Sequence, residues 1–177
     1  YYGASLLNDC KYGYDVRDGV LRLTLLKSAI DPDPEADRGR HVFTYSLLPH
    51  AGGWREGGVG AEAYALNHPL GADLLPGAQA GDLPSAYSFA WLDEGAGHVI
   101  LETVKLAEDG DGWIMRLYES RQYRNDRVRL TFGQSLRRAV ECNLVEEGEA
   151  PVDFSGRSLT FAIAPYEIKT FRLWFER

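Results

Sequence analysis

The chain has 177 residues, 45% of them hydrophobic and 25% charged, and a formal net charge of −7. That length and apolar content are enough for one globular domain with its own core, without metal or disulfide help. The acidic balance excludes the concentrated basic face that nucleic-acid binding requires, and no apolar run is long enough to span a bilayer.

The first fifty residues hold two polar, turn-rich loops, Asn8–Tyr14 and Asp31–His41, on either side of an apolar run, Val20–Leu26. Alternation within that run puts Leu21, Leu23 and Leu25 on one face, which reads as a strand with that face buried. Arg17-Asp18-Gly19 before it is a turn signal. A second strand, His41–Leu48, holds the apolar run Val42–Leu48, carries Phe43, Tyr45 and Leu47 on one side and stops at Pro49. Two strands so joined would need only a short turn, so the long, charged connection between them reads as functional.

Helix competes only at Arg55–Leu66, where Val59, Ala63 and Leu66 share a face but Gly57, Gly58 and Gly60 weaken the pattern. The expectation is at most one short helix, then a strand through Tyr64–His68 ended by Pro69. Gly71–Pro84, rich in Gly and Pro, reads as a surface loop. From Ser85 the pattern is one of short alternating segments: Ala86–Leu92, His98–Leu106, Trp113–Glu119, Arg127–Phe132, Arg138–Glu146, Ser158–Ile163 and Ile168–Phe175. Turn signals such as Asp109-Gly110-Asp111-Gly112 and Asn125-Asp126 separate them. Regular short strands without helix-length spacers indicate an all-β, antiparallel β-sandwich. No linker or repeat divides the chain, so residues 1–177 read as a single domain.

Chemistry-bearing residues are sparse. Cys10 and Cys142 make no disulfide framework and no CxxC pair; Cys142, alternating with Val140 and Leu144, reads as a buried free thiol, and reduced thiols fit a cytoplasmic protein. Asp31, Asp33, Glu35 and Asp37 are spaced like a calcium loop, but Pro32 and Pro34 stiffen them and Gly39 is misplaced for the sharp turn, so local ion pairs with Arg38 and Arg40 are expected instead. His50, His68 and His98 form no HxxxH or HxH pair. Glycoside hydrolysis needs two facing carboxyls; Glu102 and Glu119 fall mid-strand on faces expected to be solvated, with nothing to pair them. Asn8, Asp9, Lys11 and Tyr12 offer an amide, a carboxylate, an ammonium and a phenol, the groups that bind hydroxyls and equally the groups that build turns. Of the four tryptophans, Trp54 in its Gly-rich loop is the one placed to stack on a sugar, and Trp91, Trp113 and Trp174 read as core.

The segments LLNDCKYGYD, LRLTLLKSAIDPDPEADRGRHVFTYSLLPH and ALNHPL resemble the C-terminal β-domain of family 38 glycoside hydrolases, the α-mannosidases, in the branch that holds the cytosolic and vacuolar enzymes and many bacterial relatives. LETVKLAED, MRLYES and PYEIKTFRL follow in the same order, so the likeness runs from about Tyr2 to Leu173. It implies a galactose-mutarotase-like supersandwich and a parent enzyme that is a retaining hydrolase of terminal α-D-mannosides. In that family an upstream domain carries the zinc ligands and the aspartate nucleophile, and those motifs do not occur in this sequence. Opening on Tyr1-Tyr2-Gly3 without a methionine, the chain reads as a C-terminal piece of such an enzyme. No catalytic and no metal-ligating residue is expected in it. Asn8, Asp9, Lys11, Tyr12, Asp37, Arg38, Arg40 and His41 would form one wall of the substrate cleft or brace the domain interface. The resemblance implies an arginine reaching the sugar site, and the motif aligns equally with Arg38 or Arg40. The upstream domain and an α-mannoside are the expected partners, an oligomer is compatible, and the isolated piece is expected to be inactive. The alternative is a stand-alone carbohydrate-binding sandwich.

Overall fold

The computed structural model describes residues 1–77, 80–82 and 84–176. The part of the expected Gly71–Pro84 loop at Ala78, Gln79 and Leu83 therefore lies outside the described residues. Read from sequence as one domain, the chain divides by its internal packing into two compact units, Tyr1–Gly77 and Ala78–Arg177.

The first unit contains strands β1 (Tyr2–Asn8), β2 (Tyr14–Arg17), β3 (Val20–Leu23) and β4 (Tyr45–Ala51), and one helix, α1 (Val59–Asn67). β1 pairs antiparallel with β4, Tyr2 opposite Ala51 and Asn8 opposite Tyr45. β2 and β3 form a separate hairpin. Its two-residue turn, Asp18-Gly19, has φ of 52° and 75°, the conformation that matches the twist of the strands it joins. The helix replaces the strand expected at Tyr64–His68. Ala61, Glu62, Ala63 and Ala65 are strong helix formers, Gly58 supplies the left-handed entry at φ 66°, and the Tyr64 ring stacks on His68 one turn later at 4.2 Å. His50 lies in a cradle of glycines, its Nε2 3.0 Å from Ser5 Oγ. A Cβ on Gly3 or Gly57 would stand 2.4 Å or 2.6 Å from the ring.

Among the described residues of this unit only Leu7 is buried. The expected buried face of Val20–Leu26 is not buried: the strand ends at Leu23, Leu21 is 42% exposed, and Leu25 and Leu26 are exposed as well. Leu47 on β4 is 67% exposed. The reason is the number of layers. Two two-stranded sheets cannot cover one another's apolar faces, and isolated hairpins are marginal in water.

The second unit is a sandwich of β5 (Ala90–Leu92), β6 (Val99–Leu106), β7 (Trp113–Glu119), β8 (Asn125–Phe132), β9 (Leu136–Cys142), β10 (Ala150–Pro151), β11 (Asp153–Ser155), β12 (Ser158–Ile163) and β13 (Ile168–Phe175). Five strands lie in the order β10-β9-β13-β7-β6 and four in the order β11-β12-β8-β5, with every pairing antiparallel. Alternating residues of the two inner faces, Met115, Leu117, Phe171 and Leu173 against Val128, Leu130, Leu159 and Ile163, form one closed core. This is the expected all-β antiparallel sandwich. Trp113–Glu119, Ser158–Ile163 and Ile168–Phe175 begin and end where their alternation predicts.

The expected strand Arg138–Glu146 stops at Cys142, because Asn143 takes over as a turn former. Its Oδ1 accepts from the N–H of Val145 and Glu147, and Glu146 sits at φ 67°. The turn folds back over the outer face of the five-stranded sheet. There Lys105 meets Glu146 at 2.8 Å and Arg116 donates to the Leu144 carbonyl at 2.9 Å. Cys142 is consequently half-buried rather than buried, and its thiol is pushed up chiefly by desolvation.

Glu119, expected on a solvated face, is only 1% exposed. It ends β7, where the ladder runs out, and its carboxylate accepts the backbone N–H groups of Arg121, Gln122 and Tyr166 at 2.7–2.9 Å. Desolvation pushes this carboxyl up, and the converging N–H groups outweigh it and hold it below the ordinary glutamate value. Its contribution to stability is therefore present above pH ~4.5 and lost as pH falls through the depressed folded value. Glu119→Ala should lower unfolding free energy by ~1–3 kcal/mol, the cost of leaving buried donors unmet. Urea titrations should show the gap between wild type and variant narrowing once pH drops below ~4.5; a gap that stays constant down to pH 3 would contradict this.

Candidate functional site

The sequence-predicted residues all lie in the first unit, on two connections that meet at Thr44. Asn8 closes the first as an Asx turn: its Oδ1 accepts from the N–H of Cys10 at 3.1 Å and from that of Lys11, and its amide donates to the Tyr14 hydroxyl. The Asn8 carbonyl accepts from Asn67 Nδ2 at 3.1 Å, which fastens the end of α1 to this loop. Asp9 grips the second connection. Both its carboxylate oxygens accept the Thr44 N–H, at 2.9 and 3.0 Å, and its own N–H donates to the Thr44 carbonyl at 3.2 Å. The Lys11 ammonium lies over the Phe43 ring, 4.7 Å from its centre.

The Thr44 amide is the main reason the Asp9 carboxyl is held below the usual range. Asp9 in turn pushes the Cys10 thiol up through a hydrogen bond. Cys10 is thus a protonated thiol beside a carboxylate, unsuited to nucleophilic attack.

In the longer connection Asp33 Oδ1 accepts the Glu35 N–H at 2.9 Å, and Asp37 Oδ2 accepts the Ser28 N–H at 2.5 Å. The His41 ring donates through Nε2 to the Asp37 carbonyl at 2.8 Å. Arg38 is spent on Glu35 at 2.5 Å, one of the local ion pairs expected from the acidic run. Ser28, Ala29, Ile30, Pro34, Asp37 and Arg38 outline a shallow hollow of about 260 Å³. Arg40 is exposed and makes no hydrogen bond or ion pair among the described residues, and the same holds for the Tyr12 hydroxyl. Among the described residues no three His, Cys, Asp or Glu side chains converge on a possible metal position. The structure joins Asn8, Asp9 and Lys11 to the stretch just after His41, while Asp37, Arg38 and His41 form their own turn. Thr44, Phe43 and Asn67, which hold the loops, lie within the family-like segments but were not singled out as site residues; Asn67, last in its helix and two residues before Pro69, had a helix-end signal.

The tryptophans are sorted differently from their strand positions. Trp174 is buried as expected, its indole N–H donating to Asp111 at 2.8 Å. Trp91 and Trp113, expected in the core, are each 42% exposed. Trp91 belongs to the outer side of a short edge strand, and Trp113 opens β7 at the rim of the sandwich. Trp54 is as exposed as they are, but the Arg55 guanidinium stacks on it at 4.4 Å.

Antiparallel sheets and polar loops that hold themselves in shape define an all-β domain. Two family models match in chain order, the glycosyl hydrolases family 38 C-terminal domain at residues 1–35 and the family 38 C-terminal beta sandwich domain at residues 98–171. The chain is 37% identical to alpha-mannosidase G of Dictyostelium discoideum over 97% of its own length and 16% of that protein. It is 37% identical to human alpha-mannosidase 2C1 over 94% of its length and 16% of that protein, and 28% identical to the alpha-mannosidase of Saccharomyces cerevisiae over 98% and 17%. The chain belongs to glycosyl hydrolase family 38, as the C-terminal part of such an enzyme, and spans about one sixth of the length of these relatives. A stand-alone carbohydrate-binding module is not favoured.

Asp9→Ala should release the clamp without disturbing the sandwich. Amide exchange at Thr44 should accelerate at least tenfold while the amides of β7 and β13 keep their protection; unchanged exchange at Thr44 would show that the clamp is not formed.

Proposed function

We propose that the chain is the C-terminal β-domain of a retaining α-mannosidase that hydrolyses terminal α-D-mannosides, and that it supports the catalytic domain without a nucleophile of its own. The observation that carries this reading is the exposed apolar surface of the first unit. Leu21, Leu25, Leu26, Tyr45 and Leu47 stay in contact with water in the chain by itself, at a cost of ~25 cal/mol per Å² of apolar surface. The matched relatives carry about six times as much polypeptide, enough to supply the missing layer. Zinc and the nucleophile belong, in this reading, to that upstream domain.

Loops Asn8–Tyr12 and Asp37–His41 lean over the substrate cleft of the intact enzyme, with Arg40 rather than Arg38 facing the sugar. An unpaired guanidinium is free to fork onto neighbouring oxygens, whereas that of Arg38 is engaged by Glu35. Two free cysteines agree with a reducing, cytoplasmic setting. Among the described residues no helix is long and apolar enough to cross a membrane.

In the full-length enzyme, Arg40→Ala should lower kcat/KM for an aryl α-mannoside at least tenfold with Tm unchanged, whereas Arg38→Ala should leave kcat/KM within twofold. Equal effects from the two would remove the assignment. The isolated 177-residue chain should not turn over the same substrate, and measurable zinc-dependent hydrolysis by it would overturn the division of labour.

A further inference from the structure

We propose that the open end of the second unit's sandwich is a sugar-binding cleft that takes the pyranose ring of an α-mannoside; the choice of mannose rests on the reading just given. The cleft encloses about 500 Å³, within the usual range for small-ligand sites. Its apolar walls are Phe89, Trp113, Trp174 and Phe175, and Arg137 and Glu176 supply its charges.

The walls divide into occupied and free groups. Trp174 is spent: Arg138 lies 4.4 Å over its ring and Asp111 takes its N–H. Phe175 is packed edge-on against Phe89 and Phe132. Gln134 donates to the Glu176 carbonyl at 2.5 Å and so holds the last described residue against the rim. Trp113, by contrast, is half-exposed, and its indole makes no hydrogen bond or ring contact among the described residues. The side chains of Arg137 and Glu176 likewise have no hydrogen bond or ion pair there, with each other or with any other described group.

An open indole face, an unpaired guanidinium and an unpaired carboxylate are thus brought to one cleft. The carboxylate disfavours an anion and the guanidinium a cation. A neutral ring with an apolar C–H face and hydroxyls that both donate and accept satisfies all three at once. Arg137 and Glu176 are surface side chains whose loss removes no core packing, so their variants should fold.

With 5-fluorotryptophan in all four positions, the 177-residue chain gives a ¹⁹F resonance for each tryptophan, and that of buried Trp174 reports folding. Methyl α-D-mannopyranoside should shift the Trp113 resonance saturably and leave Trp54 and Trp91 in place. Arg137→Ala and Glu176→Gln should each raise Kd at least fivefold with the Trp174 resonance unmoved, and methyl α-D-glucopyranoside should bind more weakly. No saturable shift at Trp113, or one indifferent to both variants, would overturn the cleft; equal affinity for the glucoside would overturn its assignment to mannose. If the cleft fails while the full-length enzyme still hydrolyses α-mannosides, only this inference falls. Saturable mannoside binding by a parent inactive on α-mannosides would support the cleft and sink the mannosidase reading.

Discussion

An apolar sheet face needs a second layer to exclude water from it, and this constraint separates the two halves of the chain. In the second unit five strands face four, and Phe132, Phe171, Leu130 and Leu173 vanish from the surface together. In the first, two small sheets leave Leu21, Tyr45 and Leu47 in contact with water. The difference is not a lack of alternation as such, because Leu21 and Leu23 alternate as Val128, Leu130 and Phe132 do. It lies in how many strands each half has with which to close a core. A unit left open in this way has stability that depends on what covers it.

Where strands end, side-chain acceptors take over from missing ladder partners. Glu119 gathers the N–H groups at the foot of β7, Asp9 clamps Thr44, Asn8 turns the chain after β1, and Asn143 turns it after β9. Each is an oxygen placed where the backbone would otherwise present donors with no partner. The two carboxylates are kept ionised by those same bonds, so a sequence rich in acids spends part of its negative charge on shape rather than on chemistry.

The same distinction runs through the arginines. Arg38, Arg138 and Arg172 are committed to Glu35, Glu149 and Asp109. Among the described residues Arg40 and Arg137 keep open donor sets, one on the long polar connection and one lining the same cleft as Trp113. Residue type alone would have ranked these five alike. A guanidinium recognises a ligand only if its donors are not already in use.

Alternation and turn chemistry made most of the architecture legible. Three strands of the sandwich start and stop where their pattern says, because a buried face imposes a period of two that only the correct register satisfies. NDCKYG and the PDPEADRGRH run were enough for the family, since loop residues that form specific turns are far less interchangeable than apolar strand residues. Local pattern could not decide which faces find a partner. Leu21 and Leu130 read alike, yet one stays wet and the other is sealed. Nor could it tell that Glu119 is buried, that Trp113 stands at a rim, or that Glu35 engages Arg38 while no described residue engages Arg40. Those outcomes depend on which residues, distant in sequence, arrive next to them, and only the folded chain determines that.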